Sequence, residues 1–142
     1  VTRIGDHCVK TWSSNQQVIA MSSGEAEYYG MVKGACVGLG ICGMLSDLGV
    51  TLRTVLSIDS SAAKGIASRR GLGKVRHIEL CELWLQEQVA KGKIGLVKIS
   101  AEDNFADSLT KHAGVDRISQ TMVSTAQSIC EGRHEIMPQV AV

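Results

Sequence analysis

Apolar and polar residues alternate over the first twelve positions of the chain. The alternation is interrupted by the turn-prone triplet Gly5-Asp6-His7 and therefore predicts a β-hairpin over residues 1–12. A further short strand is predicted from Gln17 to Met21. Val1 opens directly on strand sequence without an initiator Met, so we expect the chain to be part of something longer.

A spacing of three and four replaces this alternation after Ser22. Ser22 and Glu25 have the S-x-x-E spacing of a capping box, which marks the start of a helix. An apolar stripe then predicts one helix to about Asp47, through Tyr28, Met31, Val32, Ala35, Leu39, Cys42 and Leu45. Glycine weakens an isolated helix, so we expect close packing against a sheet to explain Gly30, Gly34, Gly38, Gly40 and Gly43.

Strands and helices follow one another in the remaining sequence. The predicted elements are a strand from Thr54 to Asp59, a helix from Ser60, a helix from Val75 to Lys91, a strand from Ile94 to Ser100, a helix from Phe105 to Lys111, and a last helix carrying Ile118, Met122, Ala126 and Ile129. This order predicts an α/β domain in which helices flank a mixed β-sheet.

Length and composition fit one globular domain. The chain has 142 residues, 44% of them hydrophobic, and a formal net charge of +1, so no overall field indicates a nucleic-acid or membrane partner. Five cysteines without a C-x-x-C pair favour a reducing compartment. No leader and no uncharged run near 20 residues, about the length that crosses a bilayer, is visible. We expect an intracellular protein, cytoplasmic or nuclear and not secreted, with no membrane partner.

Three acidic residues are predicted at element ends, namely Glu27, Asp59 and Asp107. If these ends converge, the like charges require a cation, and Mg²⁺ suits a site of carboxylates, waters and phosphate oxygens. Acids in the first turn of a helix also interact favourably with its dipole, so the pattern leaves convergence open. Glu25 and Glu27 are not a local pair, because residues two apart lie about 200° around a helix axis.

One strongly basic stretch runs from Lys64 to His77 without an acidic residue. Its charged and titratable residues are Lys64, Arg69, Arg70, Lys74, Arg76 and His77. The stretch is a candidate for phosphate contact, with a solvated loop as the alternative. A structural hydrogen bond at a helix start is the alternative for His77.

Five ordered motifs resemble the ribonuclease H domain of copia-type LTR-retrotransposon polyproteins. They are Trp12-Ser13-Ser14, Ser22-Ser23-Gly24-Glu25-Ala26-Glu27-Tyr28, Ile58-Asp59-Ser60-Ser61-Ala62-Ala63, Arg76-His77-Ile78-Glu79, and Asn104-Phe105-Ala106-Asp107-Ser108-Leu109-Thr110-Lys111. The resemblance covers residues 1–112, which we take as an incomplete ribonuclease H-like domain, and leaves 113–142 as a C-terminal helix and tail. The tail is expected either to cover the sheet of the domain or to bind a partner.

The resemblance implies a ribonuclease H-like fold that cleaves the RNA strand of RNA–DNA hybrids, with two Mg²⁺ ions held by four carboxylates. Glu27, Asp59 and Asp107 match three of these carboxylates as catalytic and metal-binding residues. The fourth is expected on a central first strand upstream of the Trp-Ser-Ser motif, and the present sequence begins after it. We therefore expect the fold to lack its first central strand.

Two functions from different classes follow from the sequence. The leading hypothesis is a magnesium-dependent endonuclease acting on RNA–DNA hybrids during retrotransposon reverse transcription, with residues 64–77 facing nucleic acid. The alternative is a truncated or repurposed, inactive scaffold that serves as a structural or binding component. A reverse transcriptase region or another chain would then be a candidate partner that supplies the missing strand.

Overall fold

The computed structural model describes residues 1–73, 78–110 and 112–128, which form mixed α/β structure. In chain order the elements are β1 (Thr2–Ile4), β2 (His7–Lys10), α1 (Ser23–Asp47), β3 (Thr54–Ile58), α2 (Ser61–Ser68), a 3₁₀ helix (Leu80–Leu83), α3 (Trp84–Ala90), β4 (Ile94–Lys98), α4 (Asp107–Thr110) and α5 (Val115–Ser124).

The predicted hairpin is confirmed. Strands β1 and β2 are antiparallel, with Ile4 opposite His7 across the two-residue turn Gly5-Asp6. Gly5 has a φ of +58°, a left-handed conformation that glycine adopts without steric penalty.

The strand predicted from Gln17 to Met21 is wrong, because none of these residues is in a strand. Ile19 is 91% exposed and Met21 is 76% exposed, so their apolar side chains are not packed into a sheet. The backbone N–H of Met21 instead donates to the Glu25 carboxylate at 2.9 Å, which makes this segment part of the helix cap.

Strands β3 and β4 are parallel and in register from Thr54 opposite Ile94 to Ile58 opposite Lys98. Their buried face carries Ile58 and Ile94, while Val55 on the other face is 52% exposed. Two separate strand pairs therefore stand where one mixed sheet was predicted. The two pairs stay separate because no strand within the described ranges forms hydrogen bonds with both of them.

The core lies where α1, α2 and α3 pack against β3 and β4. The predicted stripe of α1 is buried as expected at Tyr28, Met31, Val32 and Ala35, and Leu39 packs against the core. The other buried hydrophobic residues are Ile58, Ala63, Ile66, Ala67, Ile78, Leu85 and Ile94.

Close packing against the sheet explains one of the five glycines in α1. A Cβ at Gly38 would lie only 2.7 Å from Thr54 Cγ2, whereas one at Gly34 would lie 3.7 Å from Leu56 Cδ2, an ordinary van der Waals contact. The expectation was wrong for Gly30, Gly40 and Gly43, where a Cβ would meet no atom of the described structure within 4 Å.

The later helices are shorter than predicted. The helix expected from Val75 to Lys91 is a 3₁₀ turn followed by α3. Residues 78 and 79 are not helical, and residues 75–77 lie outside the described part. Gly92, with a φ of +71°, follows α3 as its predicted stop. The helix predicted to begin in Phe105 to Lys111 covers Asp107–Thr110, and Lys111 is not described. Ala126, with a φ of +51°, lies beyond the end of α5, and Ile129 lies outside the described residues.

The end of α5 contacts the N-terminal hairpin. The Cys8 N–H donates to Thr125 O at 3.1 Å, and Arg3 Nη1 donates to Ser124 O at 3.3 Å. Of the two expectations for the tail, the described residues thus show contact with the domain's own hairpin, and residues beyond 128 are outside the description.

Helix α1 has the length and mean hydropathy of a membrane-crossing helix, by composition alone. Core helices of soluble proteins meet the same criterion, so this is weak evidence and indicates no location. The intracellular location stays a prediction.

Candidate functional site

The first candidate residue, Asp59, follows the last residue of β3. Its carboxylate is half-buried, and its backbone carbonyl accepts a hydrogen bond from the Lys98 ammonium group on β4. The next residue, Ser60, caps α2 because its Oγ accepts the N–H of Ala63 at 3.2 Å. The strand end and the helix cap therefore fix the backbone on both sides of Asp59.

The second candidate, Asp107, begins α4 and is joined to Asp59 through one side chain. The Asn104 amide nitrogen donates to Asp59 Oδ2 at 2.9 Å and to Asp107 Oδ1 at 3.3 Å. Since both oxygens contact one nitrogen, they lie no more than about 6 Å apart, and ligands on opposite sides of Mg²⁺ lie about 4 Å apart. The structure thus brings these two predicted residues together across 48 residues of sequence.

The turn that carries Asn104 is itself held by hydrogen bonds. Ser100 Oγ donates to Asp103 Oδ2 at 2.7 Å, and the Asp103 N–H donates to Ser100 O at 3.2 Å. Arg117 Nη2 on α5 reaches Ala101 O at 3.5 Å and Asn104 O at 3.4 Å. Helix α5 therefore supports the loop between β4 and α4.

The third candidate, Glu27, lies in the first turns of α1 and is exposed. The start of α1 approaches that of α2 closely, since a Cβ at Gly24 would lie 2.7 Å from the Cβ of Ala62. Glu27 is three residues after Gly24, so it lies on the same side of α1 as this contact. The start of α1 is thus beside the start of α2, which follows Asp59.

Glu25 has a different environment and a structural role. It is fully buried, its Oε2 accepts the Met21 N–H, and its Oε1 accepts the Tyr29 hydroxyl at 3.2 Å. Ser22 Oγ accepts the Glu25 N–H at 3.2 Å, as the predicted cap requires. The reciprocal bond goes to Met21 in place of the Ser22 N–H. Burial and the hydrogen bond to Glu25 raise the pKa of Tyr29.

The two Mg²⁺ ions expected from the resemblance stay a prediction. Mg²⁺ is commonly held by one or two carboxylates with waters and substrate phosphates, and Asp59 and Asp107 are two carboxylates bridged by one amide. Among the described residues no group of three or more His, Cys, Asp or Glu side chains is placed to hold a metal. Glu27 therefore does not complete a three-carboxylate group in this part of the chain.

The predicted nucleic-acid residues are only partly described. Lys64 is half-buried on α2, and Arg70 is exposed beside a cavity of about 350 Å³ that Lys91 also lines. Arg69 turns toward its own loop and donates from Nη2 to Leu72 O at 2.5 Å. Lys74, Arg76 and His77 lie outside the described residues.

Sequence reasoning assigned no role to Gln86 and Asn104. Gln86 is 6% exposed, and its amide bonds the N–H of Gly71 at 2.8 Å and the carbonyl of Ile66 at 2.9 Å. This amide shapes the turn that leads into the basic stretch, and nothing local in the sequence indicates it. For Asn104 a signal exists, because Asn often precedes a helix and bonds the backbone two residues on, as it does here with the Ala106 N–H at 3.1 Å.

A second cavity, of about 420 Å³, opens beside Asp107. Glu102, His112 and Arg117 also line it. It places one imidazole and one guanidinium group near the predicted carboxylate.

Comparison with known proteins relates the chain to transposon polyproteins. It is 29% identical over 114 residues to the retrovirus-related Pol polyprotein from transposon RE2 of Arabidopsis thaliana, and 28% identical over 114 residues to that from transposon RE1 of the same plant. It is 29% identical over 104 residues to the retrovirus-related Pol polyprotein from transposon TNT 1-94 of Nicotiana tabacum. No protein-family model matches the chain. No solved structure matches it.

These matches cover most of the chain and little of each relative. They span 78% of the chain for the two Arabidopsis proteins and 71% for the tobacco protein, but only 8% of each relative. The homologues of this chain are therefore retrovirus-related Pol polyproteins of transposons, at modest identity and over one short segment of each.

Proposed function

We propose that the chain is a ribonuclease H-like domain of a copia-type retrotransposon Pol polyprotein, and that it cleaves the RNA strand of RNA–DNA hybrids with the help of Mg²⁺. The observation that carries the proposal is the bridge from Asp59 through Asn104 to Asp107. It gathers two carboxylates at element ends, where perturbed or clustered acids mark functional sites. The similarity to Pol polyproteins of transposons supports a retrotransposon enzymatic function in general.

The side chains have distinct roles in this proposal. Asp59 and Asp107 hold the cation, and Glu27 lies exposed at the start of the neighbouring helix α1. The ion, when bound, supplies Lewis-acid stabilisation of a phosphate oxygen. Lys98 and Ser60 keep the Asp59 backbone in place, so the carboxylate keeps its position while substrate binds.

The basic stretch of residues 64–77 is proposed to contact the phosphates of the hybrid. Such contacts provide most of the sequence-independent affinity for nucleic acid. Among the described basic residues of this stretch, Arg70 is exposed, whereas Arg69 is directed at Leu72 and is expected to stabilise the loop. Selectivity for a hybrid would come from helix shape and ribose 2′-hydroxyl groups.

One observation favours the scaffold as a second candidate. The described carboxylates form no group of three, and the two strand pairs are not joined by a described strand. An unpaired strand edge exposes backbone N–H and C=O groups that can pair with a further strand. A reverse transcriptase region or another chain that supplies this strand would make the domain a binding component, with or without activity.

Cleavage of a labelled RNA–DNA hybrid in the presence of Mg²⁺ tests the proposal. We expect the chain to cut the RNA strand, Asp59→Asn to abolish the cleavage, and Asp6→Asn in the exposed hairpin turn to leave it unchanged. Chelation of the metal should stop the reaction. Absence of cleavage together with absence of Mn²⁺ binding would leave the scaffold as the function.

A further inference from the structure

The Gln86 side chain joins α3 to the loop that follows α2, and it is only 6% exposed. Its Oε1 accepts the Gly71 N–H at 2.8 Å, and its Nε2 donates to Gly71 O at 3.1 Å and to Ile66 O at 2.9 Å. A primary amide has two N–H donors and one carbonyl oxygen, so these three bonds determine its orientation. Gln86 therefore ties both backbone polar groups of Gly71 to the last turns of α2.

The loop after α2 is also held by its own residues. Gly71 has a φ of +80° and Gly73 a φ of +58°, left-handed values that glycine adopts without steric penalty. The Arg69 guanidinium donates to Leu72 O and lies against Gly73, where a Cβ would be 2.7 Å from Arg69 Cζ. Arg69 is thus occupied within the loop, whereas the next residue, Arg70, is exposed.

Arg70 stands at the rim of the cavity of about 350 Å³, which Gln86, Glu87 and Lys91 also line. Lys91 Nζ pairs with Glu87 Oε1 at 2.6 Å, so the acidic charge at this rim is offset by a lysine of the same region. A guanidinium group presents a planar fork of donors that matches the oxygens of a phosphate. The loop therefore presents to solvent, from a held backbone, a side chain suited to phosphate.

We infer that Gln86 is a positioning residue for nucleic-acid binding, because its amide fixes the backbone beside Arg70 so that the guanidinium meets a phosphate of the hybrid already in place. The inference rests on the proposed function for the identity of the ligand. Gln86 is buried and acts through Gly71, without contact to nucleic acid. Ordering one long side chain on binding lowers affinity about 2- to 10-fold, and preorganisation of the loop avoids this loss.

Fluorescence anisotropy of a labelled RNA–DNA hybrid, with a chelator present to prevent cleavage, measures the dissociation constant at a series of salt concentrations. We expect Arg70→Ala to weaken binding and to reduce the slope of log affinity against log salt by about one, the effect of losing one phosphate contact.

Gln86→Met tests the positioning role without a change of charge, since methionine is a neutral, unbranched side chain with no N–H donor. We expect the dissociation constant to rise about 2- to 10-fold. Gln88→Met is the matched control, because it makes the same substitution two residues further along α3 at a half-buried position. Its dissociation constant should equal that of the parent chain.

The double variant with Gln86→Met and Arg70→Ala separates positioning from a general loss of structure. If Gln86 acts through Arg70, the double variant binds the hybrid as weakly as Arg70→Ala alone, because coupled residues are not additive. A purely structural role would instead multiply the two losses of affinity.

Gly71→Ala disturbs the same loop without removing a buried group, so it keeps the test decisive if Gln86→Met does not fold. A Cβ at Gly71 would meet no atom of the described structure within 4 Å, and the strain arises from its φ of +80° alone. Gly49→Ala is the matched control, because Gly49 has a φ of +81° and equally open surroundings after the end of α1. We expect weaker hybrid binding only from Gly71→Ala, and none of this effect when Arg70 is already alanine.

The outcomes separate this inference from the proposed function. Unchanged affinity in folded Gln86→Met or in Gly71→Ala would overturn the inference, even if the parent chain cleaves the hybrid. Losses that multiply with that of Arg70→Ala, parent-like binding by Arg70→Ala, or absence of hybrid binding by the parent would overturn it as well. Coupled losses of affinity, without hybrid cleavage by the parent in Mg²⁺, would sustain the inference and remove the nuclease function.

Discussion

The acids at the start of α1 and the acids around Asn104 occupy similar places in the sequence but different environments. Glu25 is fully buried and accepts hydrogen bonds from the Met21 backbone and the Tyr29 hydroxyl. Asp59 and Asp107 are half-buried and share the amide of one side chain. The first arrangement caps the start of a helix, and in the second Asp107 lines a cavity.

The difference shows that position at an element end does not distinguish a structural carboxylate from a candidate ligand-binding one. A buried carboxylate must have its oxygens bonded within the protein, since desolvation of an uncompensated charge is costly. A half-buried carboxylate keeps part of its contact with water and is less costly to leave without a full set of protein partners. Burial and partners, which depend on distant residues, therefore decide the role.

The largest effect is expected at Glu25. Replacement by Ala removes the acceptor for two donors in a buried environment, and we expect the free energy of unfolding to fall by about 3 kcal/mol. Urea denaturation measures this. Glu27→Ala, two residues away and exposed, should change stability by less than about 0.5 kcal/mol.

Asp59→Ala tests the other half of the comparison. It should lower stability by no more than about 1 kcal/mol, because its hydrogen bond to Asn104 lies at a half-exposed edge. If Asp59→Ala destabilises the protein as much as Glu25→Ala does, the contrast between a structural and a ligand-binding carboxylate fails.

An intermediate effect is expected from pH at Tyr28, beside the Glu25 cap. Burial, followed by the charge of Glu82, raises the Tyr28 pKa from 10.0 to about 12. The folded state favours the protonated phenol, so this contribution to stability is complete below pH 10 and is lost as the pH rises toward 12. The loss is about 2 kcal/mol.

Denaturation at a series of pH values compares the parent with Tyr28→Phe. The variant cannot ionise at this position, although it also loses the hydrogen bond from the Tyr28 hydroxyl to Glu82 O at 2.7 Å. Its stability should therefore decline less steeply between pH 10 and pH 12. Identical slopes would show that Tyr28 does not contribute to the alkaline loss of stability.

The smallest effect is expected from two glycines on α1. Gly38→Ala places a methyl group 2.7 Å from the side chain of buried Thr54, so we expect a net destabilisation of about 1 kcal/mol despite the better helix propensity of alanine. Gly40→Ala meets open space and should stabilise the helix by up to about 1 kcal/mol. Opposite shifts in melting temperature would confirm that α1 packs tightly on β3 only at selected positions.

Much of the fold was predictable where local signals are strong. The Gly5-Asp6 hairpin, the Ser22 cap and the buried stripe from Tyr28 to Ala35 all follow from turn chemistry, capping and periodicity. The strand predicted from Gln17 to Met21 was wrong because a strand requires a partner, and short apolar runs do not specify one. The later helices were predicted too long, because the apolar spacing continues beyond the residues whose backbone groups form helical hydrogen bonds.

The site was predictable only in part. Asp59 and Asp107 could be selected because each lies at the end of an element. Asn104 was named only as part of a motif and was given no role of its own. Its role depends on a turn between β4 and α4 and on the distance to β3, and neither is encoded by local spacing. The ribonuclease H-like fold and the role of Glu27 remain proposals that the experiments above address.

The sequence by itself determined the hairpin turn, the start of α1, which face of α1 is buried, and which acids lie at element ends. Those properties depend on neighbours within one or two turns, so local physics is sufficient for them. The tertiary structure alone decided that Glu25 is enclosed, and that Asp59 and Asp107 meet at one amide from a segment 45 residues after Asp59. Hydrogen bonds between distant segments form only after the chain has packed, and such bonds separate a cap from a candidate cation site.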